Sequence, residues 1–152
     1  MATEARKRGI PSELPVMASL VESGMRNIGY GDADSEGFFQ MRMSIWNQGD
    51  YAGYSDHPER QLDWFLDHAV AVKQQRIAQG LPVNDPRHYG DWIADVERPA
   101  AQYRYRYQLQ LSAARDLLER AGGGADRGHA ARAAVQRLSV IDPEDARRAR
   151  GG

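Results

Sequence analysis

Three stretches of the chain carry apolar residues three or four positions apart, the spacing that places side chains on one face of an α-helix. The first, residues 13–22, follows the N-cap residue Ser12, and its stripe consists of Leu14, Met17, Ala18 and Val21. The second begins at Pro58 and runs to about Gln79, where Gly80 ends it. The third is expected to begin at Pro99 and to continue to about residue 121. No segment sustains the alternation of a strand, so the pattern predicts a mainly α fold with little or no sheet.

The connecting segments differ in composition. Residues 81–90 contain Pro82, Asp85-Pro86 and Gly90 and are predicted to form a loop, and residues 92–96 a short helical turn. Residues 22–40 are rich in Gly and Asp, residue types that favour tight turns and fill a core poorly. Polar, turn-forming sequence between two apolar runs frequently lines a cleft, so we expect the active site here.

Composition and charge limit the classes of protein. The chain has 152 residues, a net charge of −1 and 41% hydrophobic residues, as expected of an ordinary globular domain. The charge gives no reason to expect nucleic acid or an anionic membrane as the main partner. There is no cysteine, which excludes disulfides and thiolate metal sites. No apolar run is long enough for a membrane span, and no apolar segment follows the basic N-terminus as in a signal peptide.

The last residues differ from the rest in charge. Residues 120–152 hold seven Arg against four acidic residues, and they begin with a run of glycines at 122–124. We interpret residues 1–119 as the domain and residues 120–152 as a basic C-terminal tail, a linker with a short helix that begins a neighbouring segment of a longer polypeptide. A functional basic arm is the alternative.

Glu22 stands out because of its place on the first helix. Leu14 and Ala18 define an apolar face, and the i, i+4 rule continues that face to Glu22. A carboxylate at the edge of a buried face loses solvation, which favours its neutral, protonated form. The alternative is a surface Glu paired with Arg26.

These residues also carry a resemblance. Glu22-Ser23-Gly24 at a helix end, followed by Gly37-Phe38-Phe39-Gln40, resembles the Glu-Ser … Gly-Leu-Met-Gln signature of lytic transglycosylases and goose-type lysozymes. Tyr30-Gly31-Asp32 resembles the Gly-Trp-Gly-Asp stretch of goose-type lysozymes, and residues 21–40 are similar to lysozyme-like domains of actinobacterial and phage proteins. Residues 96–98 and Tyr103 resemble a later Val-Gln-x-Ser … Tyr element, although Glu97 stands where the family has Gln. The resemblance covers roughly residues 5–118.

The resemblance implies a lysozyme-like helical domain that cleaves the β-1,4 bond between N-acetylmuramic acid and N-acetylglucosamine in peptidoglycan. Glu22 is then the general acid, and Asp32 matches the residue that positions water, with Asp34 as the other candidate carboxylate. Goose-type enzymes carry another Asp where this chain has Arg42. Without a second carboxylate, the sugar's own 6-hydroxyl would attack and give an anhydro product, so hydrolase and transglycosylase both remain open.

Four further residues are candidates for binding the glycan. The resemblance implies that Ser23 contacts the sugar, that Gln40 hydrogen-bonds substrate or holds Glu22, and that Tyr103 lines the cleft. Trp46 lies in loop-like sequence and could stack on a sugar ring. The alternatives are a turn residue for Gln40 and core packing for Tyr103.

Metal binding has little support in the sequence. Asp32-x-Asp34-x-Glu36-Gly37 copies the opening of a calcium-binding EF-hand loop, but the closing Glu is replaced by Met43. The four His share no ligand spacing. We therefore expect neither a metal nor another cofactor.

The expected partner is a peptidoglycan strand at the bacterial cell wall. Without a signal peptide, the domain would be delivered as part of a phage tail, a virion or a larger protein. The alternatives are a non-catalytic glycan-binding module and a structural helical piece of an assembly.

Overall fold

The computed structural model describes residues 1–122, and the fold of this part is mainly helical, as predicted. The α-helices are α1 (Ala2–Lys7), α2 (Glu13–Ser23), α3 (Met43–Trp46), α4 (Pro58–Ala78) and α5 (Tyr89–Glu97), followed by a helical segment over residues 111–122. Short 3-10 helices connect them at Gly49–Tyr51, Tyr54–Asp56, Pro86–His88, Ala101–Arg106 and Gln108–Gln110. Strands β1 (Ser35–Glu36) and β2 (Met41–Arg42) form an antiparallel pair with Ser35 opposite Arg42.

The core lies between α2, α4 and α5, each of which packs against the other two. The aromatic rings of Phe39 and Phe65 stack with centroids 4.8 Å apart, which fixes the hairpin against α4. Trp92 is almost fully buried, and its indole N–H donates to the Ala69 carbonyl at 3.1 Å, which joins α5 to α4. This core sets the positions of the ends of α2 and α5, where the site lies.

Helix α2 has the bounds that its capping residues predict. It ends at Gly24, whose backbone is left-handed with φ of +63° and whose N–H bonds to the Leu20 carbonyl at 3.3 Å. Helix α4 likewise begins at Pro58 and ends one residue before Gln79. Both predictions are confirmed.

The long helix predicted from Pro99 is wrong over its first half. Residues 101–110 form two 3-10 helices, and regular α-helix begins only at residue 111. In a 3-10 helix residues i and i+3 eclipse, and the Arg106 guanidinium indeed lies over the Tyr103 ring, 4.1 Å from its centroid. The apolar spacing of three and four residues could not distinguish this winding from an α-helix.

The segment around residue 108 lies very close to α5. A Cβ atom at Gly90 would lie 2.6 Å from the Gln108 backbone nitrogen, so only glycine allows this approach. The Gly90 N–H donates to Gln108 Oε1 at 2.7 Å, and Gln108 Nε2 donates to the Pro86 carbonyl at 3.0 Å. These contacts hold the neighbouring Tyr107 against α5. Helix α5 begins at Tyr89, so it includes the last two residues of the loop predicted for residues 81–90. It is also longer than the helical turn predicted for residues 92–96.

The chain divides into two units, Met1–Leu118 and Glu119–Gly152. The interpretation of residues 120–152 as a basic tail with a short helix falls almost entirely outside the described residues. Within the described part, no helix is both long and apolar enough to cross a membrane.

Candidate active site

A cleft of about 330 Å³ lies beside the C-terminal end of α2. It brings together three residues that the sequence marks as candidates, Glu22, Asp32 and Tyr103. The turn after α5 and the first 3-10 helix after it complete the wall with Pro99, Arg106 and Tyr107. Residues far apart in the sequence therefore line one concave surface, which is the usual setting of an active site.

Glu22 is the next-to-last residue of α2 and is partly buried. The Tyr107 hydroxyl donates a hydrogen bond to Glu22 Oε1 at 2.5 Å. Burial raises the pKa of Glu22, and this effect outweighs the hydrogen bond from Tyr107 and the charge of Arg106, which both lower it. The carboxyl group thus keeps its proton to a higher pH than an exposed Glu would.

A second carboxyl group, that of Glu97, lies at the end of α5 within electrostatic reach of Glu22. Its Oε1 atom is buried, and within residues 1–122 it has no hydrogen-bond partner. Burial raises the pKa of Glu97 well above its ordinary value, and the charge of Glu22 raises it further. Two neighbouring buried carboxyl groups resist ionising together, so the pair keeps a proton to a higher pH than an exposed Glu would.

Tyr107 lies within electrostatic reach of both carboxyl groups and hydrogen-bonds to Glu22. It is 1% exposed, and its pKa is raised far above the ordinary value by burial and by the charges of Glu22 and Glu97. The phenol therefore remains a hydroxyl and a hydrogen-bond donor at every pH at which the protein would work. Tyr107 was not singled out from the sequence, because its contact with Glu22 forms only in the folded chain.

Asp32 is exposed at the rim of the cleft, in the loop between α2 and β1. Gln40 holds this loop, because its side-chain amide donates to the carbonyls of Tyr30 at 3.2 Å and Gly37 at 3.1 Å. A Cβ at Gly31 would lie 1.7 Å from Gln40 Oε1, so a side chain at this position would displace the Gln40 amide from these bonds. The geometry gives Gln40 a bracing role for the loop that carries Asp32.

Ser23 faces the protein interior. It is 6% exposed, and its hydroxyl donates to the carbonyls of Phe38 at 2.9 Å and Ser19 at 3.2 Å. These bonds fasten the end of α2 to the start of the Phe38-Phe39 turn. The Ser23 hydroxyl therefore helps to fix the end of the helix that carries Glu22, and it is too buried to contact a sugar.

Asp34 and Trp46 are not part of the cleft wall. The Asp34 carboxylate pairs with Arg42 and accepts the Ser44 N–H at 2.7 Å, and these partners hold its pKa far below the ordinary range. Trp46 lies in α3 with its ring edge-on to Trp64 and His68, at centroid distances of 5.5 and 4.9 Å. Asp34 anchors the hairpin, and Trp46 packs against α4 because aromatic partners are available there.

Tyr103 lies at the cleft, as the sequence predicts, and is 42% exposed. The Arg106 guanidinium that covers one face of its ring also lines the cleft and brings positive charge toward Glu22. The cleft wall therefore includes an exposed aromatic ring with a cation beside it.

Within the described residues there is no cluster of three or more His, Asp or Glu side chains that could hold a metal ion. Asp34, which belongs to the sequence that resembles the start of an EF-hand loop, is paired with Arg42. The side chains that line the cleft supply a carboxyl group with a raised pKa, a phenol, a guanidinium and an exposed carboxylate. Comparison of the chain with protein-family models, with curated proteins and with solved structures finds no match.

Proposed function

We propose that this protein cleaves the β-1,4 glycosidic bond between N-acetylmuramic acid and N-acetylglucosamine in the bacterial cell wall, with Glu22 as general acid. The observation that carries the proposal is the partly buried Glu22 carboxyl in an open cleft, with its pKa raised by burial. A glycosidic oxygen is a poor leaving group until it is protonated, so the acid must still hold its proton near neutral pH.

The hydrogen bond from Tyr107 determines which oxygen of Glu22 carries the proton. Because the Tyr107 O–H donates to Oε1, the proton of the neutral acid belongs on Oε2. As the glycosidic C–O bond breaks, this proton passes to the leaving oxygen and Glu22 becomes a carboxylate. Tyr107 and the charge of Arg106 then stabilise the new negative charge.

Neutral Glu97 helps the same step. While Glu97 keeps its proton, it adds no negative charge beside the carboxylate that forms on Glu22. An ionised Glu97 would oppose that carboxylate. The pair therefore works as one acid with a neutral neighbour.

Two reactions can complete the cleavage. In a hydrolase Asp32 would take a proton from an attacking water, which gives a reducing end. In a lytic transglycosylase the Glu22 carboxylate would take the proton of the sugar's own 6-hydroxyl, which gives an anhydro end that is one water lighter. Both reactions use groups that line the cleft.

Glu22→Gln tests the proposal, with purified peptidoglycan as substrate and mass spectrometry of the released fragments as the measurement. The variant keeps the shape of the side chain, so the fold should persist and fragment release should fall at least 100-fold. Glu59→Gln, at an exposed Glu on α4, is the matched control and should act like the unmodified protein. Full activity in Glu22→Gln would end the proposal, and glycan binding without any fragments from the unmodified chain would favour a binding module.

A further inference from the structure

A second cleft, of about 360 Å³, lies next to the first and shares Pro99 with it. We call it the arginine cleft, because Arg76, Arg98 and Arg104 line it together with the side chains of Gln75, Gln79 and Asp95. Three guanidinium groups face one carboxylate, so the lining has an excess of positive charge. None of these groups takes part in the proposed reaction at Glu22.

Two of the arginines are held in place by the protein. Arg76 is 4% exposed, and its guanidinium donates to the Pro82 carbonyl through Nη2 at 3.2 Å and to Asp95 at 3.3 Å. Arg104 Nη2 donates to the other oxygen of Asp95 at 2.8 Å. One carboxylate therefore bridges two guanidinium groups, and the lining with its three arginines keeps a net positive charge.

The third arginine has an unusual backbone. Arg98 ends α5 in the left-handed conformation, with φ of +53°, and its N–H bonds to the Ala94 carbonyl at 2.8 Å. Glycine is the usual residue at such a helix end, because a side chain there costs free energy. An exposed Arg at this costly position indicates that its side chain has a binding role. The excess of positive charge in the cleft indicates an anionic ligand.

We propose that the arginine cleft binds a carboxylate of the peptide branch that the muramic acid carries next to the scissile bond. The inference rests on the proposed function for its substrate and names a second contact of that substrate with the protein. Guanidinium groups bind planar carboxylates through paired hydrogen bonds, and the shared Pro99 puts the two clefts within reach of one sugar and its branch. A phosphate of another wall polymer has related chemistry and is a separate arm of the test.

The experiment measures binding by calorimetry to the full chain carrying Glu22→Gln, which prevents turnover. The probes are N-acetylmuramic acid with a dipeptide that ends in a free carboxylate, the same compound with that carboxylate amidated, and inorganic phosphate. Arg98→Gly is added to this background, and Arg87→Ala, at an exposed arginine outside the cleft, is the matched control.

Arg98→Gly should weaken binding of the free-carboxylate probe about ten-fold and leave the amidated probe unchanged. The melting temperature should stay level or rise, because glycine suits the left-handed position. Arg87→Ala should change nothing. Equal affinity of both probes, an unaffected Arg98→Gly variant, or phosphate binding as tight as that of the dipeptide probe would each overturn the proposal. Absence of fragment release by the unmodified chain would instead refute the proposed function, and the binding result would still decide the role of the cleft.

Discussion

The protein is expected to lose stability as the pH rises above 5. The substitution Glu97→Gln should remove much of this loss. Glu97 ionises in the unfolded chain with a pKa near the ordinary 4.5, whereas burial raises its pKa well above this value in the folded protein. Below 4.5 both states are protonated, and the residue makes no pH-dependent contribution. Above 4.5 the unfolded chain releases a proton that the folded protein retains, so stability falls as the pH rises toward the folded pKa.

The size of this effect follows from the linkage relation. In the window between the two pKa values, one retained proton lowers the free energy of unfolding by about 1.4 kcal/mol per pH unit. Glu22, whose pKa is also raised, contributes in the same direction over a narrower window. Removing the titration of Glu97 should therefore flatten the slope without abolishing it. At pH 5 the free energy of unfolding of the variant should differ from that of the unmodified protein by no more than about 1–3 kcal/mol. The reason is that the Glu side chain and the Gln that replaces it both bury a polar atom without a hydrogen-bond partner.

Urea unfolding of the full chain at half-unit intervals from pH 5 to pH 8 measures this slope. Glu59→Gln is the control, since Glu59 is exposed and its pKa is lowered, so its loss cannot flatten the decline. A slope in Glu97→Gln equal to that of the unmodified protein would refute the reasoning, since it would mean that Glu97 ionises as readily in the folded state as in the unfolded chain.

Two further substitutions test the surroundings of Glu22. Tyr107→Phe removes the hydrogen bond to the Glu22 carboxylate, so the ratio of neutral to ionised Glu22 at a given pH should rise roughly ten-fold. The alkaline limb of the pH–activity profile should therefore move to higher pH. The same profile for Tyr105→Phe, at an exposed ring, is the control. Gly90→Ala places a Cβ against the Gln108 backbone and should destabilise the protein by about 1–3 kcal/mol in urea, whereas Gly29→Ala, where nothing lies within 4 Å, should not.

The local features of the sequence predict the helices better than the contacts between them. Capping residues and apolar stripes located α2 and α4 to within one residue, because those signals act through neighbours in the chain. The 3-10 winding of residues 101–110 depends on how closely that segment approaches Gly90, which is a tertiary contact. The two-residue strands are too short to show an alternating pattern.

The residues of the site likewise divide into those that local sequence patterns indicate and those that only tertiary contacts bring together. The i, i+4 rule that selected Glu22 also applies to Glu97, since Ile93 and Ala94 precede it by four and three residues and are both fully buried. That signal was present in the sequence, but Glu97 was noted only because it stands where the family has Gln. The partner of Asp34 and the packing of Trp46 depend on residues that only the folded chain brings near.

The bond between Tyr107 and Glu22 joins residues 85 positions apart in the chain. While a ribosome is still making the protein, α2 emerges long before the segment that covers its acidic end. Until that segment arrives, Glu22 is an ordinary wetted carboxylate with the acidity of any surface glutamate. If the proposed chemistry holds, synthesis therefore yields no partly made glycosidase, because the acid is complete only after Tyr107 has been added and has packed against Glu22.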